Sequence, residues 1–126
     1  MINQKQLWEK LAKENSRYYI NSDKGRGITE EEFRESGKKA YKLYLADDTL
    51  TRDKQSILDY GCGIGRLTEF MAKDFKKVVG VDISPTMITQ GRERFKDLKN
   101  VELLEIDGKT IPLPDKSINF VFSYLV

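Results

Sequence analysis

The sequence of 126 residues contains no histidine and only one cysteine, Cys62. Without histidine there is no Ser-His-Asp or Cys-His catalysis, no imidazole acid–base chemistry and no His-ligated metal centre. A lone cysteine excludes an intrachain disulfide and a cysteine-rich zinc site, so no metal is expected. Long apolar runs are missing too. Nothing approaches the ~18–20 residues that a helix needs to cross a bilayer, and no membrane partner is expected. The opening MINQKQLWEK lacks the apolar centre of a signal peptide, which sets a cytoplasmic address as the expectation. Charge of one sign is not in excess: 22 Lys and Arg face 20 Asp and Glu, a net charge of +2. Residues 1–55 hold 12 basic and 10 acidic groups and residues 56–126 hold 10 of each, so neither half offers the basic field that a phosphate backbone demands. No nucleic-acid partner is expected. The remaining chemistry belongs to carboxylates, hydroxyls, backbone amides or a cofactor.

What is present suits one domain. Residues 1–55 read as a helical lead-in. Leu7, Trp8 and Leu11 share one face of a short helix. Ser22 to Gly27, with Asp23, Gly25 and Gly27, reads as a loop. A second helix begins after Thr29, where Thr29 and Glu32 form a capping-box pattern and Glu30 and Glu31 suit the positive end of the dipole. Phe33, Ala40, Tyr41 and Tyr44 mark its expected buried face, and Asp47-Asp48 its end. From Ser56 onward the rhythm changes. Ile57 and Leu58 lead a strand into a glycine turn, and Leu67, Phe70 and Met71 follow at helical spacing up to Phe75. Lys77 to Asp82 (KVVGVD) is a buried strand. Ser84-Pro85 is a helix start, with Met87, Ile88 and Phe95 as its apolar stripe. Val101 to Ile106 is a third strand, Asp107 to Ser117 a connection without a long helix, and Ile118 to Leu125 a fourth strand. This alternation implies an α/β fold with a parallel sheet covered on both faces.

The informative segment is Asp59-Tyr60-Gly61-Cys62-Gly63-Ile64-Gly65. A strand entering a glycine turn and then a helix builds a nucleotide site, because glycines permit positive φ and a close approach of ligand to backbone. Asp82 lies 17 residues beyond Gly65, at the expected end of the next strand, where a carboxylate suits a ribose diol. A dinucleotide fingerprint needs a third glycine at position 66, which is Arg66 here. Asp59 beside the turn repels a pyrophosphate but can pair with an ammonium. The pattern points away from NAD and toward a nucleoside that carries an amino acid.

The run ILDYGCGIGRLTEFMA, then VVGVDIS, then LLEIDGKTIPLPDKSINFVFS resembles the class I S-adenosylmethionine-dependent methyltransferases over residues 56–126. The resemblance implies a Rossmann-like sheet of strand order 3-2-1-4 and S-adenosylmethionine as cofactor, bound by residues 56–126. It implies that Asp59, Gly61, Gly63 and Gly65 surround the methionine moiety and that Asp82 binds the ribose hydroxyls. Ile83 would pack on adenine, and Asp107, with Gly108 beside it, would accept from the adenine amino group. Ser123 and Tyr124 fall where the fourth strand ends, flanking the cofactor. The family commonly has Asp where this chain has Asn119. No catalytic residue is singled out, and the acceptor implied is a small molecule. A sulfonium methyl group is already activated, so the protein mainly aligns an in-line displacement and histidine is dispensable.

Several of these residues also have plain structural readings. Asp82 can cap the Ser84 helix, Asp107-Gly108 can be an ordinary turn, and Cys62 can simply fill the turn. Tyr18 and Tyr19 can pack in the core or line a cofactor lid, and Arg66 is given no role. Family members continue to seven strands, whereas this sequence stops at Val126 as the fourth strand finishes. The expectation is therefore a truncated chain whose uncharged fourth strand is an exposed edge, pairing into a homodimer about a two-fold axis. Two alternatives to methyl transfer stand beside it: a fragment that binds the cofactor without turnover, and an NAD-type oxidoreductase domain.

Overall fold

The structure is a computed structural model that describes residues 2–20, 27–45 and 54–124, and only the backbone of residues 16–20. Its elements are α1 (Gln4–Ile20), α2 (Glu30–Tyr44), β1 (Ser56–Tyr60), α3 (Thr68–Asp74), β2 (Lys77–Asp82), α4 (Pro85–Arg94), β3 (Val101–Glu105) and β4 (Phe120–Ser123). α1 is interrupted at Asn15, whose backbone is extended. The sheet is wholly parallel in the order β3-β2-β1-β4, as the resemblance implied. After three strands laid down in one direction the chain returns to the far side of β1. The carboxyl ends of β1 and β4 therefore flank a switch point, the usual ligand crevice of such sheets.

Local chemistry explains most of the elements. Thr29 caps α2 reciprocally: its hydroxyl accepts from the Glu32 amide at 3.1 Å, and Glu32 Oε1 accepts from the Thr29 amide at 3.4 Å. Ser84 Oγ accepts from the Met87 amide at 3.2 Å, with Pro85 in the first turn of α4. β2 is the central apolar run, and Val78, Val79 and Val81 are wholly buried. At about 1.5–3 kcal/mol for each buried aliphatic side chain, that run anchors the sheet.

The two sheet faces are covered differently. Ile57, Val78, Val101, Phe120 and Phe122 pack beneath Tyr41 and Leu45 at the end of α2, and Phe70 and Met71 of α3. Leu103 packs against Ile88 of α4 and Phe95 just beyond it, on that same face. On the opposite face Leu58, Val79 and Val81 are buried by Ile106, Leu113 and Ile118, which belong to the connection between β3 and β4. Helices thus cover one face and an irregular segment the other. The sequence reading of two covered faces stands, but the second cover carries no helix among the described residues.

Two helix faces differ from expectation. On α2 the buried residues are Phe33, Gly37 and Tyr41, one i, i+4, i+8 ridge, whereas Tyr44 is 42% exposed. Gly37 turns the ridge inward: a Cβ there would lie 2.2 Å from the Arg66 carbonyl oxygen, so only glycine lets α2 approach this closely. On α1, Leu7 is 42% exposed, and Ala12 with Trp8 faces the Phe33–Met87 cluster instead. Of the loop read at Ser22 to Gly27 only Gly27, a turn residue, is described; residues 22–26, the helix end read at Asp47-Asp48, the side chains of Tyr18 and Tyr19, and Leu125 lie outside the described residues. Among the described residues no helix is long and apolar enough to cross a membrane.

Candidate functional site

A cavity of about 570 Å³ opens at the carboxyl ends of the strands, a volume suited to a small ligand. Every described strand contributes to it. Asp59 and Tyr60 come from the end of β1, Asp82 and Ile83 from the end of β2, Asp107 and Gly108 from beyond β3, and Tyr124 from beyond β4. Trp8 and Lys5 of α1, with Asn3 ahead of it, form the outer wall. Of the nine site residues read from sequence, the structure brings Asp59, Gly61, Gly63, Asp82, Ile83, Asp107 and Gly108 to this one cavity. Gly65 and Ser123 are not in its lining.

Gly65 has a packing task. Its φ is +97°, and a Cβ there would stand 2.2 Å from the Phe95 ring, so glycine lets α3 start against the residue that ends α4. Ser123 pairs with Tyr60 at the end of β4 and is exposed. Strand alternation then turns the next residue, Tyr124, to the other side, where its ring lies tilted against Tyr44, with centroids 4.9 Å apart, and borders the cavity.

The turn amides are largely spent inside the protein. Gly61 and Cys62 both donate to the Val81 carbonyl, at 2.8 and 3.0 Å. Gly63 donates to Asp82 Oδ2 at 2.9 Å, and Gly65 donates to the Cys62 carbonyl at 3.0 Å. A phosphate-binding turn presents free amides to its anion. This one is instead sutured to the end of β2.

Asp82 does double duty, since Oδ1 accepts from the Ser84 amide at 3.0 Å while Oδ2 holds Gly63. Burial raises its pKa, against the opposing effect of those amides. A carboxylate has roughly four acceptor sites, so two remain for a ligand hydroxyl pair. Asp59 is 4% exposed and accepts from the Thr68 hydroxyl at 2.7 Å. Burial pushes its pKa up to about 6, offset in part by the Thr68 bond. Asp107 forms a tight turn in which Oδ1 accepts from the Lys109 and Thr110 amides, both at 2.7 Å. Those amides hold its pKa below the usual carboxylate range. The turn reading of Asp107-Gly108 is therefore realised, with the residue still at the cavity wall. Cys62 is buried and its thiol is pushed well up by desolvation, then by Asp59 and Asp82. It is held protonated as a filler of the turn, not poised as a nucleophile.

Asn119 lies at the opposite end of the sheet from the cavity. The Ser56 hydroxyl donates to its Oδ1 at 2.8 Å and accepts from its amide at 2.9 Å, tying the starts of β1 and β4. The departure from the family's usual Asp is thus structural here.

Two residues escaped the sequence reading. Glu9 of α1 accepts from the Ser84 hydroxyl and the Thr86 amide, each at 2.9 Å, and docks α1 on the start of α4. Burial opposes its charge, but those bonds win and lower its pKa. Its partners are 75 and 77 residues away, so no local pattern signals it. Arg66 lines the cavity with its guanidinium 5.8 Å from the Tyr124 ring centre. The failed dinucleotide fingerprint at that position was the available signal.

Comparison with known proteins agrees with this architecture. Residues 57–126 match a family model described as a methyltransferase domain. The chain is 36% identical over 67 residues to a demethylmenaquinone methyltransferase of Tropheryma whipplei, covering 53% of this chain and 28% of that protein. It is 34% identical over 62 residues to a probable ribosomal RNA small subunit methyltransferase A of Methanosarcina acetivorans, covering 49% and 23%. Among solved structures it resembles S-adenosylmethionine-bound CalS10, an amino pentose methyltransferase of Micromonospora echinaspora, with a TM-score of 0.59 and 25% identity over 84% of this chain and 41% of that one. The chain spans about a quarter of the curated relatives it matches. The parallel 3-2-1-4 sheet and the family match over residues 57–126 together mean that the chain belongs to the class I S-adenosylmethionine-dependent methyltransferase family.

Proposed function

We propose that the chain binds S-adenosylmethionine in this cavity and transfers its methyl group to a small-molecule acceptor. The observation that carries the reading is the convergence of three carboxylates, Asp59, Asp82 and Asp107, from the ends of three adjacent strands on one cavity. Each has a distinct task. Asp59, buried beside the turn, pairs with the ammonium of the methionine moiety. Asp82 uses its remaining acceptor sites for the ribose hydroxyls. Asp107, whose two turn bonds both fall on Oδ1, offers Oδ2 to the adenine amino group, and Ile83 and Gly108 pack beside the base. Gly61 and Gly63 leave room for the ligand against the turn, and Gly65 keeps α3 packed on Phe95. The bound cofactor supplies an activated methyl on a sulfonium centre; the residues of this chain orient it and exclude water.

The spent turn amides speak against an NAD-type domain, because a pyrophosphate would find few donors there. A small acceptor is favoured over nucleic acid by the even charge balance and by a cavity lined by as many carboxylates (Asp59, Asp82, Asp107) as basic side chains (Lys5, Arg66, Lys109). We also propose that residues 56–126 form the cofactor-binding unit on which the helical lead-in of residues 1–55 rests, and that β4 pairs with a second copy. Val121 on that outer strand is 61% exposed, and a monomer in light scattering at micromolar concentration would reject the pairing. The functional test is incubation with methyl-labelled cofactor and a panel of small amines, alcohols and quinols. Label transferred to an acceptor supports turnover. Saturable binding with no transfer across the panel would leave the cofactor-binding fragment as the correct description.

A further inference from the structure

Four arginines have described side chains, and three of them are committed within the protein. Arg34 and Arg94 pair with Glu69, and Arg92 donates to the Leu103 carbonyl at 3.0 and 2.8 Å. Arg66 differs. It is half-buried and lines the cavity, and its polar contact is a long 3.4 Å bond from Nη1 to the Ser36 hydroxyl. No carboxylate lies within ion-pair distance of it among the described residues. The arm is nonetheless held in place. Gly37 lets α2 press on the Arg66 backbone, Ser36 touches one end of the guanidinium, and the Tyr124 ring, itself packed against Tyr44, lies 5.8 Å from it. An unpaired, partly desolvated cation fixed at a cavity wall is preorganised for an anion.

The turn narrows the choice of anion. Its glycine amides are spent on Val81, Asp82 and Cys62, which leaves the Arg66 guanidinium as the charged donor beside it. Asp59 stands before the turn and Arg66 immediately after it, an anion and a cation bracketing the six residues Tyr60 to Gly65. A ligand end bearing both an ammonium and a carboxylate matches that pair. We infer that Arg66 binds the α-carboxylate of the cofactor's amino-acid end, forming with Asp59 a two-point reader of the zwitterion. This rests on the cofactor reading above. It adds a specificity: the chain distinguishes the complete cofactor from the same nucleoside thioether stripped of its amino acid.

The test is calorimetric titration of the full chain, Arg66→Met and Arg66→Lys with S-adenosylhomocysteine and with 5′-methylthioadenosine, which lacks the amino-acid end. Loss of a charged hydrogen-bonding partner is expected to weaken S-adenosylhomocysteine by roughly 10- to 100-fold in Arg66→Met. Methylthioadenosine should bind both proteins alike, which also reports that the variant is folded, and Arg66→Lys should recover part of the loss. Unchanged S-adenosylhomocysteine affinity in Arg66→Met, or equal losses for the two ligands in the lysine variant, would overturn the assignment while leaving the cofactor reading intact. A wild-type chain that binds neither ligand would overturn both.

Discussion

The buried carboxyl of Asp59 costs the fold stability as pH rises, and the cost can be measured. Its carboxyl is buried with one hydroxyl partner, and its pKa stands at about 6 against an ordinary 3.8. At 1.36 kcal/mol per pH unit, that difference is about 3 kcal/mol. The sign follows from proton binding: the folded chain holds this proton more tightly than the unfolded chain. The contribution to stability is therefore complete below about pH 4 and is lost as pH rises through about 6. Asp59→Asn removes the titration and keeps an oxygen for the Thr68 hydroxyl. The difference in unfolding free energy, variant minus wild type, should grow by about 3 kcal/mol between pH 3 and pH 7 and then level off. Urea denaturation of both proteins across that range reads it, and any constant cost of the new amide cancels from the trend. A flat difference would refute the reasoning. For a domain stable by about 5–15 kcal/mol, such a cost is a large share to spend on one carboxylate, which fits a group kept for its ligand.

Two further perturbations probe how the site is built. Gly65→Ala puts a Cβ at positive φ into the Phe95 ring and should destabilise the chain by at least about 2 kcal/mol in urea denaturation; a neutral result would mean that the α3–α4 approach is loose. Ser84→Ala removes both the α4 cap and a hydroxyl bonded to Glu9, and should cost about 1–2 kcal/mol. In a double-mutant cycle with Glu9→Gln the coupling should exceed about 0.5 kcal/mol, and strict additivity would show that α1 is not latched through this pair.

The sequence was most legible where one local rule decided the outcome. KVVGVD is β2 from end to end because a central parallel strand, buried on both faces, must be apolar between its ends, and here only Lys77 and Asp82 at the two ends are charged. Thr29 with Glu32, and Ser84 with Pro85, are caps whose bonds close within one helical turn. The carboxylates were legible because strand ends fix their positions. What escaped depended on partners distant in the chain. Leu7 leaves the face expected of it, and Ala12, given no role in the sequence reading, is buried instead, because α1 faces a cluster built from Phe33, Ile64 and Met87. Tyr44 leaves the core because Gly37 rotates the contact ridge of α2 and a second aromatic, Tyr124, awaits it outside. Ser123 and Tyr124 were read as neighbours at one site, whereas strand alternation sends them to opposite sides. Glu9 and Arg66 acquire their meaning only from elements packed against them.

The central claim is that three strand-end carboxylates and a sutured glycine turn form a site for a nucleoside carrying an amino acid, not for a dinucleotide. Titration calorimetry with S-adenosylhomocysteine and NAD+ near neutral pH tests it most directly. Saturable binding of one S-adenosylhomocysteine per chain, with no heat from NAD+, is the predicted result. Binding of NAD+, or no binding of S-adenosylhomocysteine by the folded chain, would contradict it.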